Sequence, residues 1–138
     1  MGRLLESEAA TLAVGRELAA TLEDGAVIGL IGNLGAGKTH LVKGLVAGLG
    51  SDEVVSSPTF SLVQEYTEGK IPVYHFDVYR LETAEELLEI GWDDYLDRSG
   101  IVIVEWAERF RELMPVGTQW LTLSHDAESG GRQLEGLS

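Results

Sequence analysis

The sequence predicts an α/β fold, a mixed sheet flanked by helices on both faces. Two continuous apolar runs of strand length, at residues 26–31 and 101–104, have the composition of strands covered on both sheet faces. Helical patterns precede the first run and follow it, and a glycine-rich loop sits between that run and the second helix. A chain of 138 residues is expected to form one domain with a buried core, covering residues 1–138.

Taken in order, Ser7 is placed to cap a helix over about 8–22, with Ala9, Leu12, Ala13, Ala19 and Leu22 on its inner face and Glu8 near the positive end of its dipole. Asp24-Gly25 ends it. Residues 26–31 read as a central strand. A second helix follows over 39–49, with Leu41, Leu45, Val46 and Leu49 inward and Gly50 as a left-handed cap. Residues 61–66 and 71–76, separated by Thr67-Glu68-Gly69-Lys70, read as an antiparallel hairpin. Thr83-Ala84-Glu85-Glu86 is a capping box that opens a short helix ending before Gly91. Residues 107–113 suit a helical turn or two before Pro115, and 120–123 with 133–137 form a terminal strand pair.

Composition excludes several function classes. Ten Lys plus Arg against 23 Asp plus Glu leave −13 formal charges, and the cations are scattered singly, so autonomous nucleic-acid binding is not expected. No apolar stretch approaches the roughly 20 residues of a membrane span, and no signal-peptide core follows Met1. The absence of cysteine removes a disulfide framework, thiolate metal sites and a Cys nucleophile, and fits a reducing compartment. A cytoplasmic location is the expectation.

Gly32-Asn33-Leu34-Gly35-Ala36-Gly37-Lys38-Thr39 completes the Walker A pattern between a predicted strand and a predicted helix. Composition alone would produce it about 0.005 times per chain. Glycines at 32, 35 and 37 allow the main-chain N–H groups from Gly32 to His40 to turn inward around phosphate oxygens. The helix behind them contributes roughly half a positive charge. Lys38 is then the contact to the β and γ phosphates, and the Thr39 hydroxyl is a ligand for Mg²⁺. The metal, Lys38 and the dipole together supply roughly +3.5 against the roughly −4 of a nucleoside triphosphate, which lets an acidic protein hold one. The fold expectation sharpens to a P-loop NTPase-like sheet.

Asn33 is the chain's only asparagine, so the Asn-Lys-x-Asp reader of guanine is missing and adenine is favoured by elimination. Two acids stand at the ends of predicted strands, where a phosphate-loop hydrolase needs one to hold Mg²⁺ and orient water: Glu105 after Ile101-Val102-Ile103-Val104, and Asp77 after His75-Phe76. Thr59 is a switch-like contact to the metal or γ phosphate, or simply the start of a strand. Trp106 reads as a packing aromatic. His40, His75 and His125 share no ligand spacing. These residues leave open an ATPase, a small-molecule kinase, and a nucleotide-sensing module without turnover.

Gly-Asn-Leu-Gly-Ala-Gly-Lys-Thr, Ser-Pro-Thr-Phe-Ser-Leu-Val-Gln-Glu-Tyr, Tyr-His-Phe-Asp-Val-Tyr-Arg-Leu and Ile-Val-Glu-Trp, in that order, closely resemble the TsaE (YjeE) family over about residues 7–115. The resemblance implies a small Mg²⁺-dependent ATPase required for threonylcarbamoyladenosine formation at position 37 of tRNA. It would act with TsaB and TsaD, where TsaD transfers the threonylcarbamoyl group and the ATPase cycles the complex. Contact with tRNA would be indirect, and neither a membrane nor a homo-oligomer is implied. Carried over by position, Gly32, Asn33, Leu34, Gly35, Ala36, Gly37, Lys38, Thr39 and His40 hold the nucleotide with Arg132. Lys38, Asp77 and Glu105 are the catalytic residues, Thr39 and Glu105 stand on the metal side, and the stretch at Ser7 and Glu8 borders the adenine. The chain departs from the family at Asn33, where Asp is usual, and it ends at Ser138, earlier than many members, so that a terminal helix is expected to be missing.

Overall fold

The computed structural model describes residues 3–32, 37–56, 58, 62–125 and 130–136. A single seven-stranded sheet runs through it in the order β1-β7-β6-β2-β5-β4-β3. The strands are β1 (Arg3–Leu5), β2 (Val27–Ile31), β3 (Val63–Tyr66), β4 (Val73–Asp77), β5 (Ile101–Glu105), β6 (Gln119–His125) and β7 (Arg132–Glu135). The middle of the sheet is parallel, with β2 between β6 and β5, and β4 beyond β5. The edges are antiparallel: β3 pairs with β4, β7 with β6 and β1 with β7. The apolar run expected to be central is therefore the fourth of seven strands, and the predicted hairpin is β3–β4.

Helices cover both faces. On one lie α1 (Glu8–Thr21) and α2 (Lys38–Gly48), whose buried Val14, Leu18, Leu41 and Leu45 pack with Ile28, Leu30 and Ile103 of the sheet. On the other lie α3 (Ala84–Glu89), α4 (Trp92–Asp97) and a 3-10 helix, Ala107–Leu113, over Val27, Phe76, Val102 and Val104. Strand alternation sorts the residues: Tyr74 and Phe76 of β4 enter the second cluster, which leaves His75 and Asp77 on the face shared with α1 and α2. Among the described residues no helix is long and apolar enough to cross a membrane.

Ser7 accepts a hydrogen bond from the Ala10 N–H and Thr83 one from the Glu86 N–H, so both expected caps form. The inner face of α1 differs from the expected one. Its buried residues are Thr11, Val14, Gly15, Leu18 and Ala19, while Ala9 and Ala13 are exposed. Close approach decides this rather than hydrophobicity. A Cβ on Gly15 would stand 2.4 Å from the Leu41 carbonyl oxygen, and one on Gly44 would stand 2.2 Å from that of Leu12. The backbones of α1 and α2 thus touch along a line of small residues, and α1 rotates to present its own.

Two elements were not expected, β1 and α4. β1 has three residues and owes its existence to pairing with β7. α4 is a six-residue helix whose Trp92 is buried edge-on against Phe76, with ring centroids 5.2 Å apart, and donates its indole N–H to the Leu113 carbonyl at 3.1 Å. β3 starts at Val63 instead of residue 61, because Leu62 takes a left-handed backbone (φ +69). β7 stops at Glu135: at Gly136, φ is +101, and a Cβ would stand 2.0 Å from the Trp120 carbonyl oxygen.

Candidate active site

Gly37 closes the turn into α2. It occupies the N-cap position with φ +93, a conformation that favours glycine, and Lys38 and Thr39 open the helix behind it. No side chain caps this end, so the first N–H groups of α2 have no partner from their own helix. Beside them lies a cavity of about 570 Å³ walled by four separate parts of the chain. Leu5 to Glu8 and Thr11 form one side, Gly37 to His40 with Glu105 the floor, and Gly130 to Arg132 the other side. Arg132 leans over the turn, its Nε 3.8 Å from the place a Gly37 Cβ would take.

Lys38 is buried, at 5% exposure. Its Nζ donates to the Gly32 carbonyl at 2.6 Å, lies 3.5 Å from Glu105 Oε1, and sits 4.5 Å from the centroid of the Trp106 ring. A packing role alone does not account for a buried ammonium on the first turn of a helix, where the dipole opposes it. Trp106 itself has a left-handed backbone (φ 64) and packs its ring against Tyr79, with centroids 4.7 Å apart. It is a packing aromatic, as expected, and it also forms the wall under the Lys38 ammonium.

Glu105 ends β5 and is flanked in register by Leu30 of β2 and Asp77 of β4. It is 3% exposed, and its Oε2 lies 2.6 Å from His75 Nε2. Burial pushes its carboxyl pKa up, but the His75 hydrogen bond and charge and the adjacent Lys38 more than offset that and hold it below the ordinary 4.5. Asp77 is equally buried, at the end of β4. Its Oδ1 accepts the Tyr79 N–H at 3.0 Å, and its own N–H donates to the Leu62 carbonyl at 2.9 Å. Asp77 stands beside Glu105 on the sheet but does not line the cavity.

Of the residues singled out from the sequence, Gly37, Lys38, Thr39, His40, Glu105 and Arg132 meet around one cavity, together with Ser7 and Glu8. Gly32 accepts from Lys38 at the end of β2. Asn33, Leu34, Gly35, Ala36 and Thr59 lie outside the described residues. His40 Nε2 lies 3.4 Å from Glu8 Oε2, an ion pair when the imidazole is protonated, which ties α2 to the first turn of α1. Sequence reasoning missed His75 and Leu5, the end of β1 that stands in the cavity wall beside Ser7 and Glu8. His75 carries one readable signal, a single imidazole in a strand whose other buried positions are apolar apart from the terminal acid. Its partner Glu105 is 30 residues away and is visible only once β4 and β5 are paired.

The chain matches the family model described as threonylcarbamoyl adenosine biosynthesis protein TsaE over residues 5–134. It is 53% identical over 108 residues to the tRNA threonylcarbamoyladenosine biosynthesis protein TsaE of Nostoc, covering 76% of this chain and 67% of that one. It is 44% identical over 105 residues to the Bacillus subtilis protein of the same name, covering 76% and 65%. The matched segments thus span about two thirds of the length of these relatives. The crystal structure of Bacillus subtilis YdiB superposes with a TM-score of 0.82 at 31% identity, covering 97% of this chain and 82% of that one.

Proposed function

The chain belongs to the TsaE family, and from that premise we propose that it is a Mg²⁺-dependent ATPase supporting N6-threonylcarbamoyladenosine formation at position 37 of tRNA, together with TsaB and TsaD. The observation that carries the catalytic part of this reading is the meeting of Lys38 and Glu105 in one cavity, one at the head of α2 and the other at the end of the neighbouring β5.

The donors suit the ligand. Backbone N–H groups at the α2 terminus and the Lys38 ammonium are complementary to phosphate oxygens. The Thr39 hydroxyl and Glu105 carboxylate are hard oxygen donors that face the same cavity, as Mg²⁺ requires. Among the described residues no group of three His, Asp or Glu side chains could hold a metal by itself, so the remaining ligands would come from phosphate and water. Bound Mg²⁺ would neutralise charge on the β and γ phosphates. Lys38 would bind the same oxygens, Arg132 would close the cavity from β7, and Glu105, ionised at neutral pH, would accept hydrogen bonds from a metal-bound or attacking water. Asp77, beside Glu105 and anchored by the Tyr79 N–H, would support that acid from the next strand.

Purified protein is expected to bind ATP only with Mg²⁺ present and to hydrolyse it slowly, with release of phosphate accelerated by TsaB plus TsaD. Calorimetry with and without EDTA, followed by steady-state phosphate release with and without the two partners, checks each step. Absence of Mg²⁺-dependent ATP binding would remove the reading at its base. Binding without turnover under any condition would leave a nucleotide-sensing module in its place.

A further inference from the structure

We infer that His75 is the positioning residue for Glu105, donating from Nε2 to Oε2 so that the carboxylate keeps one orientation whether or not Lys38 touches it. This inference rests on the site reading above.

His75 is fully buried, on the face of β4 that looks toward α1 and α2. An ionised carboxylate only accepts hydrogen bonds, so the nitrogen 2.6 Å from Glu105 Oε2 carries the hydrogen. The other ring nitrogen, Nδ1, is buried and has no hydrogen-bond partner among the described residues. A polar atom left like this costs about 1–3 kcal/mol, so an apolar side chain would fill the position better if packing were its purpose. What the imidazole supplies at this position is the bond at Nε2.

The two partners of Glu105 are not equivalent. Lys38 approaches Oε1 at 3.5 Å from a helix terminus, and its ammonium is the group phosphate oxygens would recruit. His75 approaches Oε2 from within the sheet, one strand away, and cannot follow a ligand. When Lys38 turns to phosphate, the Nε2 bond still fixes Oε2 and leaves Oε1 facing the cavity. A carboxylate held by a second residue in this way binds metal more tightly, and losing such a partner typically costs 10–100-fold in metal affinity.

The test is a Mg²⁺ titration of ATP binding, read by calorimetry, on wild type, His75→Leu, His75→Asn and His75→Gln, and on His75→Leu combined with Glu105→Ala. The Leu and Asn variants should raise the Mg²⁺ concentration for half-saturation about 10–100-fold. At saturating Mg²⁺ their ATP affinity should return to within about twofold of wild type, because the phosphate contacts are untouched. Gln, whose amide nitrogen can occupy the Nε2 position, should restore most of the loss, whereas the shorter Asn amide reaches only Nδ1. In the Glu105→Ala background His75→Leu should add nothing. If the Leu variant does not fold, the Asn and Gln pair carries the comparison. An unchanged Mg²⁺ requirement in Leu and Asn, a Gln variant as impaired as Asn, or an added loss in the Glu105→Ala background would each overturn the inference while leaving the site reading intact. Wild type that binds no ATP with Mg²⁺ would overturn the site reading, and this inference with it.

Discussion

Lys38→Ala is expected to weaken binding of ATP with Mg²⁺ by about 100-fold or more and to reduce phosphate release by about 10²–10³-fold, measured by calorimetry and steady-state assay. Lys38 opens the first turn of α2, and its ammonium is already desolvated at 5% exposure. Its charge therefore acts on a bound phosphate at short range with little screening. ADP should lose less than ATP, because the contact to the γ phosphate is absent from both sides of that comparison. Removing the ammonium also takes one of two partners from buried Glu105, so the variant should be less stable by about 1–3 kcal/mol in urea titration, with His75 limiting the cost. Unchanged affinity and turnover in a folded variant would place the nucleotide elsewhere.

The second large effect belongs to the contact between α1 and α2. Gly44→Val should destabilise the protein by about 3 kcal/mol or more, with urea unfolding followed by circular dichroism as the measurement. A Cβ at Gly44 would meet the Leu12 carbonyl oxygen at 2.2 Å and the Leu12 carbonyl carbon at 2.9 Å, both backbone atoms that cannot rotate away. Gly44→Ala sets two opposing terms against each other. Helix propensity favours Ala by about 1 kcal/mol, and the clash must force the helices apart at about 1–3 kcal/mol or more, so the net effect is destabilising. Because α2 carries Lys38 and Thr39 at its head, the displacement should also weaken nucleotide binding. Lys43→Ala, one position away and exposed, should stay within about 0.5 kcal/mol of wild type. A Gly44→Val protein as stable as wild type would show that the two helices do not touch as described.

The sequence made the parallel centre of the sheet legible because buried strands there are continuous apolar runs, which few other environments tolerate. Ile101-Val102-Ile103-Val104 could be read as a strand, and Glu105 as its end, without knowing any neighbour. The face of α1 could not be read in that way. Thr11 and Gly15 carry little hydrophobic signal, and their burial follows from the glycines opposite them on α2. α4 was hidden for a related reason: six residues with three acids give no helical period, and only the packing of Trp92 and Tyr95 on Phe76 holds them in place. In the site, Lys38, Thr39 and Glu105 stood in local patterns with chemical meaning. His75 and Leu5 of the cavity wall acquire theirs through pairing between distant strands, of β4 with β5 and of β1 with β7, whereas the resemblance already places Ser7 and Glu8 there.

A structure of the protein with Mg²⁺ and a non-hydrolysable ATP analogue tests the central claim most directly. The account predicts the triphosphate against the N-terminus of α2, with Lys38 Nζ moved from the Gly32 carbonyl to the β and γ phosphates and with Thr39 and Glu105 on either side of one Mg²⁺ ion. An analogue bound outside this cavity, or Lys38 still donating to Gly32 in the saturated complex, would contradict it.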